Sequence, residues 1–121
     1  MANSITIGIA DLAPSLFTQD DGTSVEDILK AGSGVVYAVE IDNTLNTAAS
    51  YFKAYNVTAA VTVGTTVPDM VLYAPAATKI TYVFPRGITF ATGLKTACVT
   101  TGGTGGTTAP TSNVAYQVSF N

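Results

Sequence analysis

The sequence predicts an all-β fold, an antiparallel sandwich or barrel, and three observations carry that reading. Short apolar runs alternate with period two, most cleanly in Val114, Tyr116, Val118 and Phe120 against Ala115, Gln117 and Ser119. Turn signals built on Gly, Pro and Asn recur roughly every ten residues through most of the chain. No stretch of helical length keeps a 3.6-residue period, which argues against an α/β arrangement.

Taken in order, Ile5, Ile7 and Ile9 alternate with Thr6 and Gly8 and predict a first strand. Residues 11–24 are mixed, with Pro14 and the Asp20-Asp21-Gly22 turn signal, and give few cues for order. Residues 25–31 read as a strand that pairs across the tight Gly32-Ser33-Gly34 turn with the run that follows. A short helix over 25–30, capped by Ser24 and Asp27 and ended by Gly32, is the competing reading. In the next run Val35, Tyr37, Val39 and Ile41 share one face, opposite Val36, Ala38, Glu40 and Asp42. Asp42-Asn43 ends it, and residues 43–50 are polar and turn-like.

Residues 51–57 are extended, with Phe52 and Ala54 on one face and Tyr51, Lys53 and Tyr55 on the other. Rings on both faces predict one side against the core and the other against a neighbour. Residues 61–63 predict a brief strand before Gly64, and residues 70–74 another between Pro68 and Pro75. Ile80, Tyr82 and Phe84 alternate with Thr81 and Val83 until Pro85-Arg86-Gly87 breaks the run. Residues 88–91 and 94–100, split by Gly93, supply two more strands before the last. The 121 residues fit one domain: an arm and first strand over 1–24, then a single sandwich over 25–121.

Composition restricts the chemistry. Twenty threonines stand beside no histidine, no tryptophan and one cysteine. Histidine alone has an unperturbed pKa near neutrality, and it is the commonest metal ligand, so its absence weakens acid–base and zinc proposals together. Cys98 lies in an apolar stretch and reads as a small buried hydrophobe. Charged residues make up 11% of the chain, against roughly 25% in ordinary soluble domains. That shortage predicts a surface partly covered by other subunits. The net charge is −3, and Lys30, Lys53, Lys79, Arg86 and Lys95 are scattered, which argues against nucleic acid as a partner. The first residues lack the basic and apolar regions of a signal peptide, and no window resembles a membrane span. A reducing cytoplasm is the expected site of synthesis, and the Asn56-Val57-Thr58 sequon is read as chance.

The remaining constellations favour structure over catalysis. Thr101-Gly102-Gly103-Thr104-Gly105-Gly106-Thr107-Thr108 suggests a phosphate cradle, but no lysine follows it and the next element is a strand, so a mobile or packed loop is expected. Asp20-Asp21 and Glu26-Asp27 are the closest carboxylate pairs, and adjacent residues of an extended chain point apart. Asp20, Asp21 and Asp42 match no EF-hand spacing. No Gly-x-Ser-x-Gly elbow occurs. Tyrosines 37, 51, 55, 73, 82 and 116 suit strands and interfaces better than a sugar platform. Gly64-Thr65-Thr66-Val67-Pro68 is echoed by Gly106-Thr107-Thr108-Ala109-Pro110, which marks two candidate equivalent loops at one rim. No catalytic, cofactor-binding or metal-ligating residue is assigned, and the chain is not expected to be an enzyme.

From Gly34 onward the sequence resembles small virion proteins of tailed bacteriophages. The resemblance is carried by Val36-Tyr37-Ala38-Val39-Glu40-Ile41-Asp42-Asn43-Thr44 and then Tyr51-Phe52-Lys53-Ala54-Tyr55-Asn56. It continues through Val63-Gly64-Thr65-Thr66-Val67-Pro68-Asp69, Phe84-Pro85-Arg86-Gly87-Ile88-Thr89-Phe90 and the Gly/Thr-rich loop before Ala109-Pro110. It implies a β-sandwich or jelly-roll subunit on the capsid surface, most simply a head decoration (cement) protein. Its partners would be the major capsid protein and sister copies, as a homotrimer, with no membrane involved. A tail or fibre module that binds carbohydrate or a receptor is the alternative.

Overall fold

The computed structural model describes residues 15–22 and 27–121. Eight strands follow in order: β1 (Ser15–Gly22), β2 (Asp27–Ala31), β3 (Gly34–Asp42), β4 (Ser50–Tyr55), β5 (Met70–Ala74), β6 (Lys79–Phe90), β7 (Gly93–Val99) and β8 (Val114–Phe120). They form two four-stranded sheets, β1-β8-β3-β6 and β2-β7-β4-β5, in which every pairing is antiparallel. The protein is an all-β antiparallel sandwich, as its alternation predicts. The first strand pairs with the last, the second with the seventh, the third with the sixth and the fourth with the fifth. The chain is therefore one long hairpin, its tip between β4 and β5, rolled across both sheets.

The inward faces meet in a core of Val36, Val39, Ile41, Phe52, Ala54, Leu72, Phe90, Leu94, Cys98, Val114, Tyr116, Val118 and Phe120. Cys98 is fully buried within it. β8 shows the expected alternation throughout, with its even-numbered residues buried. At the centre the Phe52 ring meets the Tyr116 ring edge-on at 5.0 Å. The Tyr116 hydroxyl and Thr96 Oγ1 share a hydrogen bond of 2.7 Å, which lets an aromatic with a polar tip sit in the core. Tyr116→Phe strands the buried Thr96 hydroxyl and should lower stability by about 1–2 kcal/mol in urea denaturation.

Five local expectations change. The strand expected at residues 5–9 lies outside the described residues. Within the segment read as a loosely ordered arm, Ser15–Gly22 is instead an edge strand paired with β8. Phe17 anchors it, 6.0 Å from the Tyr116 ring. β2 is a strand, but it pairs with β7 rather than β3. Gly32, at φ +95°, turns the chain from one sheet to the other instead of closing a hairpin. β3 carries a bulge between Val36 and Ala38 against both neighbours. The extra residue reverses the phase, so Val36 joins the core beside Val39 and Ile41 while Val35 and Tyr37 are half-buried. Pro85-Arg86-Gly87 is likewise an irregularity inside one strand and not a break. β6 is an edge strand, where a proline removes no ladder hydrogen bond. Residues 61–63 form no strand: the Thr65 and Thr66 amides both donate back to Thr62 O, closing a turn.

Candidate functional site

Two faces of the sandwich are exterior, and they differ. On the β2-β7-β4-β5 sheet the outward residues Lys53 and Tyr55 of β4 and Lys95, Ala97 and Val99 of β7 are as buried as the core. All seven residues of β7 are buried, so this central strand is covered on both sides. The cover comes from the chain itself. Lys53 Nζ donates to Gly106 O at 3.0 Å and to Thr104 O at 3.4 Å. Lys95 Nζ donates to Ala59 O at 2.8 Å. The loops at 56–69 and 100–113 are thus held down by lysines that rise from the sheet beneath them. Rings on both faces of β4 do reflect coverage on both faces, but the second cover is intramolecular.

The Gly/Thr run can now be read chemically. It turns carbonyl oxygens towards a cation, the opposite of the amide cradle an anion requires. Its glycines serve close approach: a Cβ on Gly106 would lie 2.1 Å from Thr101 O, and one on Gly102 would lie 2.9 Å from the Tyr51 ring. The echoed loops touch. Gly64, at φ +96°, packs so closely on Thr107 that a Cβ would lie 2.2 Å from its methyl. Burial lowers the Lys53 pKa below the ordinary lysine value and raises that of Tyr55, whose buried hydroxyl has no hydrogen-bond partner among the described residues.

Asparagines organise both ends. Asn43, fully buried, donates from Nδ2 to Ala48 O at 3.0 Å, Ala74 O at 3.3 Å and Pro75 O at 3.0 Å. Its Oδ1 accepts from Asn46 Nδ2 at 2.9 Å and Ser50 Oγ at 2.8 Å. Asn46 in turn exchanges two bonds with the Ser112 backbone. Near the opposite end Asn56 Oδ1 accepts from the Thr92 and Gly93 amides, while Asp69 Oδ2 accepts from Asn56 N. The sequon asparagine is thereby engaged in holding loops together.

The outward face of the β1-β8-β3-β6 sheet is a contrast. Its registers align Ser119, Ala38 and Val83 in one row and Gln117, Glu40 and Thr81 in the next. Ala115, Asp42 and Lys79 form the third. The first row has only short side chains, and Val83 is 65% exposed. Three of these nine residues are charged: Lys79 bridges Glu40 at 3.2 Å, and Asp42 accepts from the Thr44 amide and hydroxyl, which lowers its pKa.

The other sequence candidates do not converge. The side chains of Asp20, Asp21, Glu26 and Asp27 lie outside the described residues. Among the described residues no three of His, Cys, Asp and Glu gather as a metal site. Tyr55 and Tyr116 are buried, and Tyr51 pairs with Tyr73 at 5.4 Å and 54°. The Tyr82 hydroxyl donates to Tyr73 O, linking the edge strands of the two sheets. Sequence reasoning missed Asn43 and Lys53, and only the Asp-Asn turn signal and a charge within an aromatic strand hinted at either. Comparison of the chain with known protein families, with curated proteins and with solved structures finds no match.

Proposed function

We propose that this chain is a structural protein of a tailed-phage virion. In this reading it is a head decoration subunit whose jelly-roll-like body binds the major capsid protein and sister copies, as trimers at local three-fold positions. It would act on the capsid surface after assembly in the host cytoplasm. The observation that carries the reading is the uncovered sheet face, where Ser119, Ala38 and the exposed Val83 form a row of short uncharged side chains beside the row Gln117, Glu40 and Thr81. Such a face suits flat packing against another protein, where side-chain ordering costs little. The buried polar groups Asn43, Asn46, Lys53 and Lys95 support it too, because each donates to main-chain carbonyls or to another member of the same loop network. A body braced in this way has affinity as its output. Interfaces of roughly 800 Å² per partner are individually modest, and repetition over a closed shell multiplies them.

Mass spectrometry of purified particles should find a fixed, high copy number, and its absence from every particle would defeat the proposal. Of residues 1–24, expected as the capsid-facing arm, Ser15–Gly22 belongs to the sheet as β1, and residues 1–12 are the part of the arm to delete. Their deletion should abolish attachment to undecorated capsids while leaving the thermal unfolding of the body unchanged. Undiminished binding of the truncated protein would overturn the arm assignment. The exposed Tyr73 beside Tyr51 favours a second reading, a carbohydrate-binding fibre module, which a glycan array with purified protein would reveal.

A further inference from the structure

Two of the five cations, Lys53 and Lys95, are buried against loop carbonyls, and Lys79 is bridged to Glu40. Lys30 has a different setting. It lines a crevice of about 350 Å³ at the corner where β2 passes into β3, together with Ser33, Gly34, Val35, Thr89 and Asn121. The corner is built around Gly34. A Cβ there would lie 2.5 Å from Asn121 O and 3.1 Å from Lys30 Cδ, so only glycine lets the lysine stem lie across the start of β3. Lys30 Nζ sits 3.5 Å from that same point, at the floor of the crevice. The wall is fixed by a reciprocal pair of bonds, Asn121 N to Val35 O at 2.8 Å and Val35 N to Asn121 O at 3.3 Å. Among the described residues no carboxylate lies within 4 Å of the Lys30 ammonium.

We propose that this crevice receives a carboxylate, the side chain of an aspartate or glutamate on the protein surface to which the chain adheres. The Lys30 cation, with Ser33 and Thr89 lining the same crevice, matches the charge of a single carboxylate. The volume of about 350 Å³ admits an acidic side chain. The crevice then acts as a polar register pin at the contact, since electrostatic pairing fixes orientation more than it adds affinity. The partner's identity rests on the adhesive reading; the site itself does not.

The probe is sodium acetate titrated into the isolated full-length protein at constant ionic strength with chloride, followed by amide chemical shifts. Saturable shifts of Gly34, Val35 and Thr89 with half-saturation below about 100 mM are expected. Lys30→Gln should weaken binding at least about tenfold, whereas Arg86→Gln, which removes an exposed cation elsewhere, should leave it unchanged. Gly34→Ala, which displaces the lysine stem, should weaken it as well. Linear shifts, or equal loss in the Lys30 and Arg86 variants, would overturn the proposal. So would inorganic phosphate binding more tightly than acetate. None of these outcomes depends on a virion, so failure here and absence from particles are separate results.

Discussion

Replacing Asn43 with alanine should destabilise the protein by about 3–5 kcal/mol, a large part of the roughly 5–15 kcal/mol that holds a domain of this size together. The cost follows from the geometry. One buried amide serves Ala48, Ala74 and Pro75 as donor and Asn46 and Ser50 as acceptor. It therefore fastens the β3–β4 connection to the end of β5, and Asn46 extends the link to Ser112 before β8. Alanine removes all of these at once and leaves carbonyls and a hydroxyl unpaired where little water reaches them. Asn43→Asp keeps the volume but turns an acceptor towards the carbonyls of Ala48, Ala74 and Pro75. Its carboxyl would favour the protonated form in the fold, so its folded pKa lies above the unfolded one. The variant should thus be least unstable in mild acid and lose stability as the pH rises towards neutrality. Urea denaturation of the wild type, Asn43→Ala and Asn43→Asp at pH 5 and pH 7.5 measures both effects. A loss below about 1 kcal/mol in the alanine variant would show that the network is not cooperative.

Why Asn43 escapes a reading of the sequence is instructive. Asp42-Asn43 is a sound stop signal for β3, and the strand does stop there. Propensity places asparagine in turns because its side chain bonds nearby backbone. It cannot distinguish a solvated turn from one folded under another loop 31 residues away. β8 was legible because one of its faces is buried along its whole length and nothing interrupts its period. β3 was legible as a strand but not in phase, because a bulge at Tyr37 costs one residue and leaves no compositional mark. β2 was legible as a strand but not in its partner. Local sequence identifies a tight Gly-Ser-Gly corner without saying which sheet the next strand joins. The same limit hid Lys53, whose cover is supplied by residues 104 and 106, roughly fifty positions away.

Lys53→Ala should cost about 2–4 kcal/mol and should loosen the Gly/Thr loop before it loosens the sheets. The alanine removes a buried aliphatic stem as well as the ammonium that gathers Thr104 O and Gly106 O. Lys53→Met separates the two contributions. It keeps most of the packing, removes a charge whose desolvation opposes folding, and leaves two carbonyls without their donor. Because the first gain offsets part of the second loss, the methionine variant should lose only about 1 kcal/mol. Amide exchange at Gly106 and Thr108 should speed up in both variants, while Phe52 and Val118 in the core stay protected. The charge itself leaves a mark on the pH profile. The folded pKa of Lys53 lies below its unfolded value because burial disfavours the ammonium. At neutral pH the folded state therefore bears the full cost of that charge. As the pH rises from the folded value towards the ordinary lysine value, the unfolded chain holds the extra proton and the cost is relieved. Wild-type stability should accordingly gain on Lys53→Met across the alkaline range. A constant difference between the two curves from pH 7 to pH 10.5 would mean that the Lys53 ammonium stays as well solvated in the fold as in the open chain.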